Sequence, residues 1–153
     1  MKVKDILEVW ITSYAFEGKG IARVNLDDPE QDLQNFVIFV EKGYPGDLAR
    51  IQITKKKKNY ANAQILEILT PSSERITPKC KFFGTCGGCK QQDMDYSAQL
   101  KYKQLQVTET FTQLGGFENF RIEEIVPSKE TFFYRNKMEF SFSANRWLSK
   151  LEI

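Results

Sequence analysis

The chain contains no histidine. That absence removes Cys2His2 and Cys3His zinc sites, the commonest general base, and any Ser-His-Asp or Cys-His arrangement. Chemistry carried by these residues must run on Lys, Asp, Glu, Tyr or Cys, or lie elsewhere. Long apolar runs are also missing: no stretch approaches the roughly 18 residues of a membrane span. The opening Met-Lys-Val-Lys-Asp-Ile-Leu-Glu-Val-Trp is charged throughout and has no signal-peptide core. The expectation is a cytoplasmic monomer with no membrane partner. Net charge is only +2, so a polyanion partner must be argued from local patches and not from the total.

Cysteine is scarce but concentrated. All three cysteines of the 153-residue chain, Cys80, Cys86 and Cys89, fall within ten positions at C-x5-C-x2-C spacing. In a reducing compartment such a cluster reads as metal-binding or redox-active before it reads as a disulfide. An iron–sulfur site fits the spacing and the glycines Gly84, Gly87 and Gly88, whose backbone amides can approach sulfur. Zinc prefers paired C-x2-C units, and Cys86–Cys89 is the single pair. A dithiol switch on that pair would leave Cys80 unexplained. A 4Fe–4S cluster wants four thiolates, so the fourth ligand is absent from this chain.

Residues 1–70 read as short strands separated by turn signals. Leu7–Ser13, Ile21–Val24, Phe36–Val40, Ala49–Ile53 and Tyr60–Leu69 alternate or run apolar as half-buried and buried strands do. Pro45 and Gly46 occupy the central positions that a type II turn prefers. Five such strands predict a small closed barrel of the OB type. Lys55, Lys56, Lys57 and Lys58 fall where a hairpin tip is expected. They read either as a solvated tip or as phosphate contacts, with Tyr60 able to stack on a base.

Pro71-Ser-Ser and Thr77-Pro78 mark a linker, and a domain boundary is placed at 70/71. Beyond the cysteines, Asp95 or Ser97 can cap a helix. Leu100, Val107, Phe111 and Leu114 form one apolar stripe along it, read as core, and Gly115-Gly116 ends it. Ile122–Val126 and Tyr134–Phe142 read as strands. In the latter, Arg135 and Lys137 share a polar face. Asn136 falls on the apolar face, where it either orients a neighbouring loop or faces a ligand.

Together these pieces resemble a known family. Glu17-Gly-Lys-Gly-Ile-Ala-Arg23, the Pro45-Gly-Asp47 turn and the Lys-Lys-Lys-Lys-Asn-Tyr-Ala61 stretch resemble a TRAM domain. The segments Pro71–Cys80, Phe83–Cys89, Asp95–Leu100 and Phe133–Phe140 resemble the parts that follow it in iron–sulfur RNA (uracil-5-)-methyltransferases, closest to the 23S rRNA enzymes. The resemblance implies an OB-fold barrel over 1–70 and the first part of a central α/β domain over 71–153. It implies that Cys80, Cys86 and Cys89 are ligands of a 4Fe–4S cluster. The implied partner is RNA, rRNA first and tRNA as the alternative, met through Lys55 to Lys58, Tyr60, Arg135, Asn136 and Lys137. The S-adenosylmethionine site and the catalytic residues belong to a final domain with no counterpart here, so no catalytic residue is expected in this chain. Two other functions fit the composition: a stand-alone RNA-binding adaptor and a small iron–sulfur electron carrier.

Overall fold

A computed structural model of the chain describes residues 1–25, 36–85, 87–137, 142–146 and 148. Its framework is a six-stranded sheet: β1 (Ile6–Trp10), β2 (Ser13–Ala15), β3 (Lys19–Val24), β4 (Phe36–Glu41), β5 (Leu48–Lys56) and β6 (Tyr60–Thr70). The strand order is β1-β5-β6-β4-β3-β2. All neighbours are antiparallel except β4 and β6, which run parallel. The edge strands β1 and β2 are consecutive in sequence, separated by Ile11 and Thr12 alone. The sheet must therefore curl until its two edges approach each other, giving a half-barrel with OB-like topology.

The five expected strands become six because the first divides. Ile11 is buried, and its amide donates to the Asp47 carbonyl at 2.9 Å, while the Thr12 amide donates to the Ile21 carbonyl at 2.8 Å. The chain thus changes partner between these two residues. Ile11 lies against Gly20 and Gly43: a Cβ built on Gly43 would come within 2.2 Å of Ile11 Cδ1, so that crossing has room only for glycine. The expected type II turn forms, with Gly46 at φ +90° and the Asp47 amide donating to the Tyr44 carbonyl at 3.0 Å. Among the described residues no strand pairing joins β1 to β3, so barrel closure there is incomplete.

The barrel core is almost wholly aliphatic. Val9, Ile11, Ala22, Ile38, Val40, Ala49, Ile51, Ile53, Ala61 and Ala63 pack with Phe36. They occupy the inward positions that period-two alternation requires.

Beyond the barrel, α1 (Tyr96–Glu109) is capped by Asp95, whose side chain accepts from the Ser97 amide at 2.9 Å. A π-helical turn, Thr110–Leu114, follows. The hydroxyls of Thr108, Thr110 and Thr112 donate to the Gln104, Gln106 and Thr108 carbonyls, a back-bonding that bends helices. Two expectations fail. Most of the stripe expected to be core faces outward: Leu100 is partly buried, but Val107 and Phe111 are half-exposed and Leu114 is 85% exposed. The buried face carries Ala98 and Tyr102 instead, because a barrel surface and not a second sheet covers this helix. The α/β expectation is met only by its helix. Residues 122–126 and 134–137 form no strand, and 138–141 lie outside the described residues. A strand needs a partner to satisfy its backbone, and none runs beside these segments among the described residues.

Candidate nucleic-acid interface and cysteine loop

The β5–β6 hairpin closes through the Lys57 amide, which donates to the Tyr60 carbonyl at 2.8 Å. It carries Lys55, Lys56, Lys57 and Lys58 to one end of the barrel, all exposed. Lys56 Nζ donates to the Met1 carbonyl at 2.8 Å. Among the described residues no carboxylate pairs with any of the four, so the tip keeps its positive charge.

Register extends this tip across the sheet. Arg23, Val37 and Tyr60 lie side by side on β3, β4 and β6, and Ile21, Phe39 and Asn62 form the next row. These side chains alternate with the buried ones, so they share the outer face. Phe39 and Tyr60 pack edge to face with centroids 5.6 Å apart, and Tyr60 remains 38% exposed. Arg23 is exposed at the far end of its row. The outcome is a strip of lysines, then two aromatic rings, then a guanidinium. Flexible ammonium groups suit phosphates, and a half-exposed ring offers a base a stacking surface. The outer face of β1, β5 and β6 contrasts with it: Arg50 is shared between Glu8, at 2.8 Å, and Glu67, so one guanidinium meets two carboxylates and no positive charge is left over. The sequence reading found the tip and Tyr60 but missed Phe39 and Arg23, which enter only through strand register.

The cysteine loop lies on the other side of a polar junction. Cys80 and Cys89 are exposed thiols, and Cys86 lies outside the described residues. Gln92 connects the two ends: its Oε1 accepts from the Cys80 amide at 2.7 Å, and its Nε2 donates to Cys89 Sγ at 3.7 Å. An amide N–H directed at a sulfur is the outer contact that a metal-bound thiolate takes. The thiols of this glycine-bearing loop fit an iron–sulfur cluster in donor type, although among the described residues no three His, Cys, Asp or Glu side chains are placed to hold a metal ion. Lys42 Nζ donates to the Gly84 carbonyl at 3.2 Å and ties the loop to the barrel.

The junction itself is dense. Asp47 is fully buried and accepts from the Tyr44 amide at 2.7 Å, the Ser72 amide at 2.9 Å, and Arg75 Nε and Nη2, each at 2.8 Å. Arg75 also reaches Asp93 at 3.0 Å and the Lys42 carbonyl at 2.8 Å, and it lies 4.3 Å over the Tyr44 ring. Burial works against the Arg75 charge, but the Asp47 hydrogen bond and the two carboxylates together favour the guanidinium. The Tyr44 hydroxyl donates to Asp93, and Tyr102 donates to Glu74 at 2.5 Å. Burial first, and then those carboxylates, hold both phenols well above the usual tyrosine range. The stretch expected to be a linker is thus fastened to the barrel by Ser72 and Arg75.

Arg135, Asn136 and Lys137 are exposed on irregular chain, with Arg135 Nε donating to the Lys137 carbonyl at 3.1 Å. They sit on a separate stretch from the lysine tip. No helix among the described residues is long and apolar enough to cross a membrane.

Comparison with known proteins places these features. Residues 2–66 match the TRAM domain model. A protein named "Uncharacterized RNA methyltransferase" from Bacteroides thetaiotaomicron is 43% identical over 139 residues, covering 91% of this chain and 29% of that protein. A relative of the same name from Porphyromonas gingivalis is 39% identical over 143 residues, covering 94% and 29%. Another RNA methyltransferase so named, from Chlorobaculum tepidum, is 42% identical over 150 residues, covering 97% and 29%. The chain spans about three-tenths of the length of these relatives.

Proposed function

The chain belongs to the family of RNA methyltransferases that carry a TRAM domain, and from that membership we propose that it is the RNA-recognising part of an S-adenosylmethionine-dependent RNA uracil-5-methyltransferase. The observation that carries the reading is the strip running from Lys55–Lys58 through Tyr60 and Phe39 to Arg23. It joins phosphate-binding charge to base-stacking surface on the face that OB-type barrels use for oligonucleotides. Methyl transfer belongs to the remainder of the enzyme. The resemblance of the Phe83–Cys89 loop and the Tyr134–Lys137 stretch supports uracil as the base and 23S rRNA as the substrate, in the cytoplasm.

Cys80, Cys86 and Cys89 would hold a 4Fe–4S cluster with a fourth ligand from outside this chain. Bound there, the cluster supplies a covalent staple for the loop. Gln92 positions Cys89 and the Cys80 backbone for it, and Lys42 and Arg75 hold the loop's base against the barrel.

The reading is tested by titrating single-stranded RNA against the chain at several salt concentrations. Replacing Lys57 and Lys58 by Gln is expected to weaken binding and to lower the salt slope by about 1 per lysine. Tyr60→Ala is expected to weaken binding with the slope unchanged. Affinity untouched by all three substitutions would remove the strip as the RNA site. For the activity, the intact native protein is incubated with unmodified RNA and methyl donor. The expected product is 5-methyluridine; a methylated cytosine or purine would replace the uracil assignment.

A further inference from the structure

The open seam of the barrel holds an aromatic residue that the strip leaves unused. The pairing of β2 with β3 runs Ser13 to Ile21, Tyr14 to Gly20 and Ala15 to Lys19. Carried back three residues, the same register would set Trp10 opposite Val24. It does not continue. From Trp10 backwards the strand pairs on its other edge with β5, Trp10 to Leu48 and Val9 to Ala49, and among the described residues nothing pairs across the gap between β1 and β3. It forms a concavity of about 480 Å³ lined by Glu8, Trp10 and Thr12 on one side and by Arg23, Val24 and Asn25 on the other. Trp10 is 55% exposed, a large apolar surface left in water beside a cation.

We propose that this seam is a second nucleobase subsite, in which an unpaired base of single-stranded RNA stacks on the Trp10 indole. The proposal rests on the RNA reading above and extends it around the barrel. Three observations select this occupant. Glu8 is already engaged by Arg50 Nε at 3.1 Å and Nη2 at 2.8 Å, which offsets part of that carboxylate's repulsion of a polyanion. Arg23 pairs with no carboxylate among the described residues, and it lies both at the rim of the seam and in the Arg23–Val37–Tyr60 row. That row crosses two interstrand spacings, roughly 10 Å, so one short strand of RNA reaches Tyr60 and Trp10 with Arg23 on the phosphate between them. A duplex buries its bases in its own stack and offers no free ring face to the indole.

The chain has two tryptophans, so a Trp147→Phe background leaves Trp10 as the reporter. Labelled oligouridine and an RNA duplex of the same length are titrated against this chain, following both label anisotropy and tryptophan emission. The single strand is expected to quench Trp10 with the midpoint seen by anisotropy, and the duplex to leave it unquenched. Trp10→Ala should weaken single-strand binding about 5- to 150-fold with an unchanged salt slope, and Trp10→Phe should recover part of the loss. Should Trp10→Ala fail to fold, the quenching and the Trp10→Phe affinity decide. RNA bound with Trp10 emission unmoved, or Trp10→Ala binding at parental affinity, would overturn the seam and leave the strip standing. Weaker binding with a shallower salt slope would also overturn it, because an indole carries no charge. Failure of the parent chain to bind either RNA would bring down the RNA reading itself.

Discussion

The barrel core and the junction beside it are built by opposite means. The core is a set of Ile, Val and Ala side chains closed by Phe36, with no polar side chain among them. The second cluster joins Tyr14 and Tyr44 of the barrel to Met94, Ala98 and Tyr102 of the appended segment. There every phenol is hydrogen-bonded: Tyr14 accepts from Gln91, Tyr44 donates to Asp93, and Tyr102 donates to Glu74. An aliphatic core asks for volume and tolerates substitution that preserves it. A buried polar network asks for particular atoms at particular distances and fails when one is removed. The difference teaches which part of the chain can drift: the barrel can be repacked, whereas the attachment of the cysteine loop to it cannot.

The largest expected effect tests that contrast directly. Arg75→Met leaves the Asp47 carboxylate fully buried with its two backbone donors and no cation. Stranding a buried charge costs about 3–5 kcal/mol. Ile38→Val, at an equally buried position of the core, should cost only about 0.5–1.5 kcal/mol. Urea denaturation of the two variants measures both. Equal losses would break the contrast.

Alkali supplies the next largest effect. Burial, and then the hydrogen bond to Asp93, raise Tyr44; burial, and then Glu74, raise Tyr102; burial raises Tyr14. Phenols whose folded pKa exceeds the unfolded value stabilise the fold fully below about pH 10. That stability is lost as pH rises towards the folded values. The slope is about 1.4 kcal/mol per pH unit for each tyrosine that ionises only in the unfolded chain. Tyr102→Phe removes one such group, so its stability should fall less steeply above pH 10 than the parent's. Denaturation midpoints across pH 9–12, with tyrosinate absorbance followed in parallel, check this. Parallel curves would mean that Tyr102 ionises as freely folded as unfolded.

The two regions also differed in how far the sequence disclosed them. Strand alternation located the barrel because each strand carries its own period-two signal, and the Lys55–Lys58 tip followed from the turn between two of them. Phe39 and Arg23 escaped notice because their relation to Tyr60 is a matter of register across three strands. The helix cap at Asp95 was legible, being a local bond to Ser97. Its buried face was not: periodicity shows that Leu100, Val107, Phe111 and Leu114 share a side, but not which side meets a partner. Ala98 and Tyr102 win because Tyr14 and Tyr44, more than fifty residues earlier, lie beneath them. Ser72 and Arg75 looked like linker residues because Pro71 and Pro78 flank them. Nothing local discloses that a guanidinium at 75 answers a carboxylate at 47. The cysteine spacing pointed to a cluster, while the sulfur-directed contact of Gln92 emerged only from the folded loop.

The smallest expected effect separates stability from loop order. Lys42 touches both regions: its carbonyl accepts from Arg75, and its ammonium donates to the Gly84 carbonyl inside the cysteine loop. Lys42→Met keeps the first contact, which is backbone, and deletes the second, which is exposed. Global stability should therefore stay within about 0.5 kcal/mol of the parent. The loop loses a side-chain tether to the barrel, so Cys80 and Cys89 should be alkylated faster by a small thiol reagent, with site-resolved mass spectrometry giving each rate. Arg75→Met should accelerate the same cysteines and lower stability together. If Lys42→Met left both alkylation rates at the parent's value, the loop would be ordered by Gln92 and its own turns alone, and the barrel would hold it only through the Arg75 junction.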